Sequence, residues 1–391
     1  MKVAINVTRE PLAGITATNL SLFNHLHESD TSFAGVEINA FRTFTAPIVY
    51  RHLSPGWFNH QIISICDIPL NKIVKKSHSL KDVEKHFSHI IKIVRDILKK
   101  EQPDTVLING SYYIPWIISI AAKKENIPIV LWYAGILTKE VSHMAPHFRK
   151  IYLSMERSIV NRANHIIFPS DICRDTVYNE VCRSNSVKNG TVISNPISPI
   201  FTRHDQPELP VQNRIAFVGR YTPIKNIEEF CSLHKKLLKI GWKHEATIVS
   251  NIGKKELRKI PKTIKVMPSM SPAEIKIFYA TQGLIISPSH FETFGNVPIE
   301  AVCIGIPALV SKDMGCSEVL IESGLERMVI DFSNTEAVTE RIMELCGQHV
   351  LPRQINNLKK RVDAKYVANE IMSVIHNHTL PYGRKTKKRK V

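Results

Sequence analysis

Two short motifs in the second half of the chain carry residue types that can bind phosphate. In the first, Gly219 and Arg220 follow an apolar run, and Lys225 comes five residues after the arginine. Glycine lets a ligand approach the backbone closely. Arginine and lysine together can hold a diphosphate, one through its planar fork and the other as a point charge. Two exposed basic residues around a strand–helix turn explain the same spacing, so this motif alone leaves both interpretations open.

The second motif places two carboxylates on either side of a glycine-containing loop. Glu292 is in the loop, Glu300 is in a helix predicted to begin near position 297, and seven residues separate them. Gly295 and Asn296 would present free backbone N–H groups beside the helix N-terminus, which together form a cradle for an oxyanion. The alternative is that Glu300 is an ordinary surface residue and Glu292 a favourable charge at the helix N-terminus.

The segments around these motifs predict how they are positioned. Short β-branched runs alternate with longer segments of helical period, which is typical of a mostly parallel sheet with helices on both faces. In such sheets ligands bind at the carboxyl ends of the strands. We predict strands at 2–7, 105–109, 127–132, 165–169, 214–218, 245–250, 263–266, 284–287 and 308–311, and helices at 16–27, 80–100, 113–125, 151–163, 226–240, 271–281, 297–303 and 364–376.

A proline-rich segment at 195–210 divides this alternation of strands and helices into two halves. We predict that each half is a doubly wound α/β domain and that the ligand site lies in the cleft between them. The predicted units are an N-terminal Rossmann-like acceptor domain at 1–195, a linker at 196–213, a C-terminal Rossmann-like domain at 214–365, a helix at 366–380 that packs back on the first domain, and a basic disordered tail at 381–391.

The composition excludes a disordered or fibrous chain and indicates anionic partners. Hydrophobic residues make up 43%, and 52 Lys and Arg against 35 Asp and Glu give a formal net charge of +17. Such an excess bears on partners rather than on fold. No apolar run approaches the ~18 residues that span a bilayer, and the N-terminus lacks the pattern of a secretory signal. The seven cysteines are unpaired in spacing, which argues against disulfides and a zinc site; we expect a cytoplasmic protein.

In combination the two motifs are far more specific than either alone. The chain resembles the GT-B-fold retaining glycosyltransferases of glycosyltransferase family four, whose second domain has Gly-Arg…Lys after its first strand and later Glu, seven residues, Glu, with Phe-Gly in the loop. The resemblance continues through 305–311, Gly315 and Glu318, and it includes the Asn195-Pro196 linker and the segment 155–170 before it. It implies the GT-B architecture, in which two Rossmann-like doubly wound parallel-sheet domains face a central cleft.

The resemblance also implies roles for the motif residues. The donor is a nucleotide-sugar, with UDP or GDP as the expected nucleotide and its base near 266–270. Arg220 and Lys225 hold the leaving diphosphate, so that no catalytic metal or other cofactor is needed, and Glu292 contacts the donor sugar. Glu300 binds the ribose. No protein nucleophile is implied, because the leaving phosphate can take the acceptor proton in a front-face attack. The other donor-binding residues implied are Gly14, Gly219, Phe294, Gly295 and Asn296.

The acceptor side departs from the family pattern. Many members have His-Gly or His-Asp after the strand at 127–132, whereas here Ala134 stands at the histidine position and Gly135 matches the glycine. Tyr133 or, more remotely, His143 or His147 can fill that place, or none of them has a catalytic part. This departure leaves the acceptor and the donor sugar open.

The expected activity is metal-independent hexosyl transfer to a glycan or lipid-linked acceptor in lipopolysaccharide, O-antigen or capsule biosynthesis. The stretch 139–162 is cationic and partly apolar, and related enzymes rest such a helix on anionic lipid. It and the basic tail predict peripheral association with the inner face of the membrane, although a solvated helix face explains the stretch equally well. The tail also fits a nuclear-import pattern.

Three other classes compete with this prediction. A GT-B-fold sugar-nucleotide epimerase would lack the Glu-seven-Glu loop in this form, and a phosphorylase would carry a lysine-bound pyridoxal phosphate. A nucleic-acid-binding protein would use the net charge, but the sequence contains neither a recognised nucleic-acid module nor interleaved basic and aromatic residues. We therefore expect no nucleic-acid partner.

Overall fold

The computed structural model describes residues 1–7, 32–39, 58–64, 70–182, 190–203 and 208–379. The predicted helix at 16–27, the candidate residue Gly14 and the basic tail lie outside these ranges.

The described strands of the first half form a seven-stranded sheet in which all neighbours are parallel. Its order is β3-β2-β1-β4-β5-β6-β7, so the chain winds outward in both directions from the β1–β4 pair. Strands β4 and β5 are buried along their whole length, as expected for a parallel sheet covered on both faces. The strands are β1 (Lys2–Val7), β2 (Ser32–Asn39), β3 (Phe58–Ser64), β4 (Thr105–Asn109), β5 (Ile129–Trp132), β6 (His165–Phe168) and β7 (Gly190–Val192).

The helices of the first half pack mainly on one face of this sheet, around a core that includes Trp116 and Tyr152. The predicted helix at 80–100 is interrupted at Phe87, whose backbone leaves the helical conformation and whose ring lies edge-on to Trp116 with centroids 6.3 Å apart. No proline or glycine signals this break in the sequence. The helices are α1 (Leu70–Lys76), α2 (Leu80–His86), α3 (Ser88–Glu101), α4 (Tyr113–Lys124), α5 (Leu137–Glu140), α6 (Pro146–Arg162) and α7 (Asp171–Thr176), the last continued by a π-helical turn at Val177–Val181.

The second half forms a six-stranded parallel sheet of order β10-β9-β8-β11-β12-β13. The strand order reverses between β8 and β11, which makes the carboxyl ends of these two strands the position where doubly wound sheets bind ligands. The strands are β8 (Arg214–Val218), β9 (Glu245–Val249), β10 (Ile264–Met267), β11 (Leu284–Ser287), β12 (Ala308–Ser311) and β13 (Val329–Ile330).

Helices cover both faces of the second sheet and enclose a second hydrophobic core. Helix α11 begins with a capping box, in which Ser271 accepts from the Glu274 N–H and Glu274 accepts from the Ser271 N–H, as the Ser-Pro-Ala-Glu sequence predicts. The helices are α8 (Pro199–Thr202), α9 (Ile227–Lys239), α10 (Lys254–Leu257), α11 (Pro272–Ala280), α12 (Asn296–Cys303), α13 (Cys316–Glu322), α14 (Thr335–Leu345) and α15 (Pro352–Val362).

The last described helix, α16 (Ala364–Thr379), belongs by its contacts to the first half of the chain. Its apolar residues, such as Val367 and Ile371, share a buried cluster with Ile5 and Trp132 of the first sheet. The linker runs beside the start of this helix, since the Ile197 N–H donates to the Val362 carbonyl at 2.9 Å. The chain therefore crosses twice between the two sheets.

Candidate functional site

The two predicted motifs leave neighbouring strands of the second sheet and meet at its carboxyl edge. The loop after β8 carries Arg220 and Lys225, and the loop after β11 carries Glu292. Two hydrogen bonds join the loops. The His290 N–H donates to the Ile224 carbonyl at 2.9 Å, and the Asn226 side-chain amide donates to the Pro288 carbonyl at 3.2 Å. These bonds hold the side chains of the two motifs close to each other.

Lys225 and Glu292 form an ion pair at the centre of this edge. The Lys225 Nζ lies 2.6 Å from the Glu292 Oε2, with side chains 22% and 17% exposed. Ser289 Oγ donates to the other carboxylate oxygen at 2.8 Å. Arg220 is exposed beside them and forms no ion pair with any residue of the described ranges. The edge thus holds one cation that is paired with a carboxylate and a second whose donors no described residue engages.

The loop between the two glutamates requires glycine. Gly295 has φ +102°, and a Cβ there would lie 2.7 Å from the Met314 Cε and 3.6 Å from the Glu292 Oε2. Its neighbour Phe294 is buried with its ring in the second core, so only its backbone remains available to a ligand. Asn296 begins helix α12, and its side-chain oxygen accepts from the Asn195 amide of the linker at 3.3 Å.

Two more of the residues predicted to bind the nucleotide-sugar donor, Gly219 and Glu300, lie at the same edge of the second sheet. Gly219 continues β8, and a Cβ on it would lie 3.9 Å from the Lys225 Cδ and 3.3 Å from the Phe217 ring. Glu300 lies on α12, where Tyr279 OH donates to its carboxylate at 3.2 Å. Burial raises the pKa of Glu300 to about 7, against the opposing effect of that hydrogen bond. Glu300 is therefore not an ordinary surface residue.

An open groove of about 430 Å³ lies further along this edge, where β9 and β10 end. Its lining mixes apolar side chains with backbone and small polar groups, which suits a flat ring with polar edges. It adjoins the segment 266–270, where the sequence predicts the donor base. The lining residues are Ser250, Asn251, Ile252, Gly253, Leu257, Val266, Met267 and Pro268.

The first domain faces this edge with the segment that follows β5. The Thr293 hydroxyl reaches across to the Ala134 carbonyl at 3.4 Å, and Ser111 Oγ donates to the Gly135 carbonyl at 2.6 Å. Glu140, at the end of α5, lies within electrostatic reach of Arg220, Lys225 and Glu292. Burial raises the pKa of the Glu140 carboxyl and the two cations oppose that rise. Sequence reasoning missed Glu140, because nothing in the short segment 137–140 marks it.

Two of the predicted acceptor-side residues do not fit their predicted place. Tyr133 is completely buried and its hydroxyl donates to the Glu156 Oε1 at 2.7 Å, so its side chain lies in the core of the first domain and not at the cleft surface. His143 is exposed on the turn between α5 and α6 and forms no hydrogen bond with the described residues. His147 contacts the Val74 carbonyl at 2.9 Å, on the far side of α6 from the β5 loop. Gly135 lies in the segment after β5 that contacts the second domain, and its role toward an acceptor stays a prediction.

Glu156 is a buried residue of the first domain that binds the start of helix α5. Its carboxylate is fully buried and accepts from Tyr133 OH, from the Leu137 N–H at 2.8 Å and from the Thr138 N–H at 2.8 Å, with the Thr138 hydroxyl as a fourth donor. These backbone donors are the first two of helix α5, so Glu156 satisfies N–H groups that the helix itself leaves free. The carboxylate therefore sets the orientation of the helix that ends in Glu140.

The two domains are bound to each other across the cleft floor. Ser170 Oγ donates to the Thr293 carbonyl at 2.7 Å. Glu318 of α13 accepts from the backbone N–H groups of Asp171 at 2.8 Å and of Ile172 at 2.6 Å, at the N-terminus of α7. Gly315 permits the approach, since a Cβ there would lie 2.2 Å from the Thr293 carbonyl oxygen. These contacts hold the two domains close together on this side of the cleft.

This arrangement of two parallel α/β domains around a cleft is the GT-B fold. The structure described as "Trehalose-6-phosphate from E. coli bound with UDP-2-fluoro glucose" superposes with a TM-score of 0.68 over 97% of this chain and 99% of that one, at 13% sequence identity. At that identity the likeness establishes the fold alone, and it confirms the predicted fold class.

The second domain also matches a known family. Residues 201–362 match the family described as "Glycosyl transferases group 1", in line with the resemblance that the motifs carry. The capsular polysaccharide biosynthesis glycosyltransferase CapM of Staphylococcus aureus is 24% identical over 162 residues, 39% of this chain and 42% of that protein. The amylovoran biosynthesis glycosyltransferase AmsD of Erwinia amylovora is 27% identical over 195 residues, 46% of this chain and 53% of that protein. The chain thus matches about half the length of these relatives.

No helix of the described ranges is both long and apolar enough to cross a membrane. Nor do those ranges hold a group of three or more His, Cys, Asp or Glu side chains placed to bind a metal ion.

Proposed function

We propose that this protein is a retaining glycosyltransferase that moves a hexosyl group from a UDP- or GDP-sugar to a glycan or lipid-linked acceptor in cell-surface polysaccharide biosynthesis. The observation that carries the proposal is the set formed by Lys225, Glu292 and Arg220 at the switch point of the second sheet, where Arg220 has no ion-pair partner among the described residues. The biosynthetic context is proposed from the capsular and amylovoran relatives.

In the proposed reaction an acceptor hydroxyl oxygen bonds to the anomeric carbon as the bond from that carbon to the diphosphate breaks. The leaving diphosphate gains charge in this step, and Arg220 and Lys225 stabilise it electrostatically. The hydroxyl proton passes to the leaving phosphate oxygen on the same face, so the configuration is retained without a protein nucleophile. The two side-chain cations supply the charge neutralisation, and for this reason we propose that transfer does not require a metal ion.

The other groups at the carboxyl edge of the second sheet can bind the remaining parts of the donor. The loop around Gly295 and the N-terminus of α12 offer N–H groups to phosphate or sugar oxygens. Glu292, neutralised by Lys225, can accept from a sugar hydroxyl, and Glu300 can accept from the ribose. The groove beyond β9 and β10 takes the base. The structural neighbour that binds UDP-2-fluoro glucose supports a uridine or similar nucleotide for this groove.

A donor panel tests the proposal directly. We expect one or more UDP-, GDP- or ADP-sugars to raise the melting temperature of the full chain, because a ligand that binds only the folded state stabilises it, by about 2.7 kcal/mol at one hundred times its Kd. The same donor should be turned over to a nucleoside diphosphate. ATP and pyrophosphate serve as controls for anion binding without a sugar. If no nucleotide-sugar shifts the melting temperature or is consumed, the proposal fails.

We also propose that the protein rests on an anionic membrane surface. Helix α6 begins beside the end of α1, where the His147 ring contacts the Val74 carbonyl, and this brings together exposed Lys75, Lys76, Arg149 and Lys150. Each such cation is worth about 1 kcal/mol near an anionic leaflet. Replacing all four with glutamine should remove cosedimentation with phosphatidylglycerol-containing vesicles. The same change at Lys254, Lys255, Arg258 and Lys259 of the second domain is the charge-matched control, and equal losses in both variants would contradict the proposal.

A further inference from the structure

Glu140 belongs to the first domain but is directed at the ligand-binding edge of the second. Helix α5 ends at this residue, and the side chain folds back over the segment that leaves β5. A Cβ on Gly135 would lie 2.8 Å from the Glu140 Oε1, so the absence of a side chain at Gly135 makes room for the carboxylate. From there it interacts electrostatically with Arg220, Lys225 and Glu292.

The Glu140 carboxylate has no hydrogen-bond or ion-pair partner within the described ranges. Solvent reaches the residue, while the surrounding protein still desolvates the carboxyl group enough to raise its pKa. The nearby acids differ: Glu292 is paired with Lys225 at 2.6 Å, and Glu180 is paired with Lys139 at 2.5 Å. An ionised carboxylate can accept about four hydrogen bonds. No described residue uses that capacity at Glu140.

The charges around the cleft also restrict what can enter beside the donor. Arg220 and Lys225 are two cations, and Glu140 and Glu292 are two anions. Lys139 lies over the Phe291 ring at 5.6 Å and is already paired with Glu180. Once a diphosphate occupies the two cations, the wall formed by the first domain offers a carboxylate and no unpaired cation among these residues.

We propose that Glu140 selects the acceptor: it accepts hydrogen bonds from hydroxyl groups of an uncharged sugar and repels acceptors that carry a phosphate or carboxylate at that position. This inference rests on the proposed transfer from a nucleotide-sugar and names the acceptor class for it. Like charges brought together in a partly desolvated cleft oppose binding strongly. The same carboxylate thus supplies both the attractive and the repulsive element that specificity uses. Glu156 is the positioning residue for this group, since it orients α5.

The test compares Glu140→Gln with Asp96→Asn, a control that removes an equal charge from an exposed position on α3 of the same domain. With the donor found in the panel, we measure kcat/KM for glucose, galactose and N-acetylglucosamine and for their 6-phosphates. We expect the wild type to prefer the neutral sugars. In Glu140→Gln that preference should fall at least tenfold. Asp96→Asn should match the wild type.

A binding measurement tests the role of Glu140 even if none of these sugars is an acceptor. With the nucleoside diphosphate product bound at saturation, Glu140→Gln should bind glucose 6-phosphate at least tenfold more tightly than the wild type and Asp96→Asn do. The inference is overturned if neither sugar preference nor glucose 6-phosphate affinity changes, or if the wild type prefers the phosphorylated acceptors. Failure of every nucleotide-sugar to bind the wild type would instead overturn the proposed function, so the two failures are distinguishable.

Discussion

Lys225→Ala is expected to lower the rate of sugar transfer by about 10²- to 10³-fold, which is the usual effect of removing one preorganised group that stabilises a developing negative charge. The substitution removes one of the two cations facing the leaving diphosphate and leaves the Glu292 carboxylate, 17% exposed, without its ion-pair partner. Because the added negative charge now faces the donor, we also expect weaker donor binding. Release of nucleoside diphosphate measures the first effect, and donor-induced shifts in melting temperature measure the second.

The matched control is Lys236→Ala. Lys236 also forms a lysine–glutamate ion pair, at 2.5 Å with Glu336, but on the outer surface of α9 and with Glu336 79% exposed. Exposed pairs contribute about 0.2–1 kcal/mol at most, so this variant should keep wild-type turnover. A Lys225→Ala variant that retains more than a tenth of wild-type turnover would show that Arg220 and the helix N-terminus suffice, and the role assigned to Lys225 would be withdrawn.

Glu156→Ala is expected to lower the free energy of unfolding of the first domain by about 3–5 kcal/mol, the range seen when one member of a buried charged network is removed. Four donors lose their acceptor together, from Tyr133, Leu137 and Thr138, and all three residues are largely enclosed. Buried donors without partners each cost about 1–3 kcal/mol. Urea unfolding followed by tryptophan fluorescence measures the loss, because Trp116 and Trp132 are buried in this domain.

Lys150→Ala on the same helix provides the control, since Lys150 is exposed and surface changes usually stay within about 0.5 kcal/mol. Glu156→Gln should fall between the two, because the amide keeps the shape but turns one acceptor into a donor. A loss below about 1 kcal/mol in Glu156→Ala would mean that water or a rearranged helix α5 replaces the carboxylate. The role of Glu156 in orienting Glu140 would then fail as well.

Much of the fold follows from local patterns. The strands of the second sheet, Arg214–Val218, Leu284–Ser287 and Ala308–Ser311, coincide with the apolar runs predicted for them, because a strand buried on both faces reads as an unbroken apolar run. Strands β2 and β3 were not predicted, nor were helices α14 and α15. Helix α15 carries a regular amphipathic pattern that could have revealed it. In the other segments, packing against the rest of the domain contributes more than local preference does.

For the candidate site, too, the sequence predicts some of the residues and misses others. Motif spacing and the family resemblance predict Lys225 and Glu292, and the two side chains meet because the strands before them, β8 and β11, pair in the sheet. The sequence could not decide the position of Tyr133, because a tyrosine next to a strand end is equally compatible with the cleft and the core. In the structure its hydroxyl hydrogen-bonds to the buried carboxylate of Glu156. Glu140 and Glu318 act across the domain boundary, and their partners are more than 75 positions away in the chain.

The sequence by itself determined the two α/β halves, the cation–carboxylate motifs and the phosphate chemistry they imply, since periodicity and short spacing act within a few residues of the backbone. The tertiary structure alone decided which groups of one domain face the other. Glu318 at the N-terminus of α7, Glu156 beneath α5 and Glu140 opposite Arg220 are placed by the packing of two separately folded sheets. Such contacts depend on the relative position of whole domains, which no local pattern in the chain encodes.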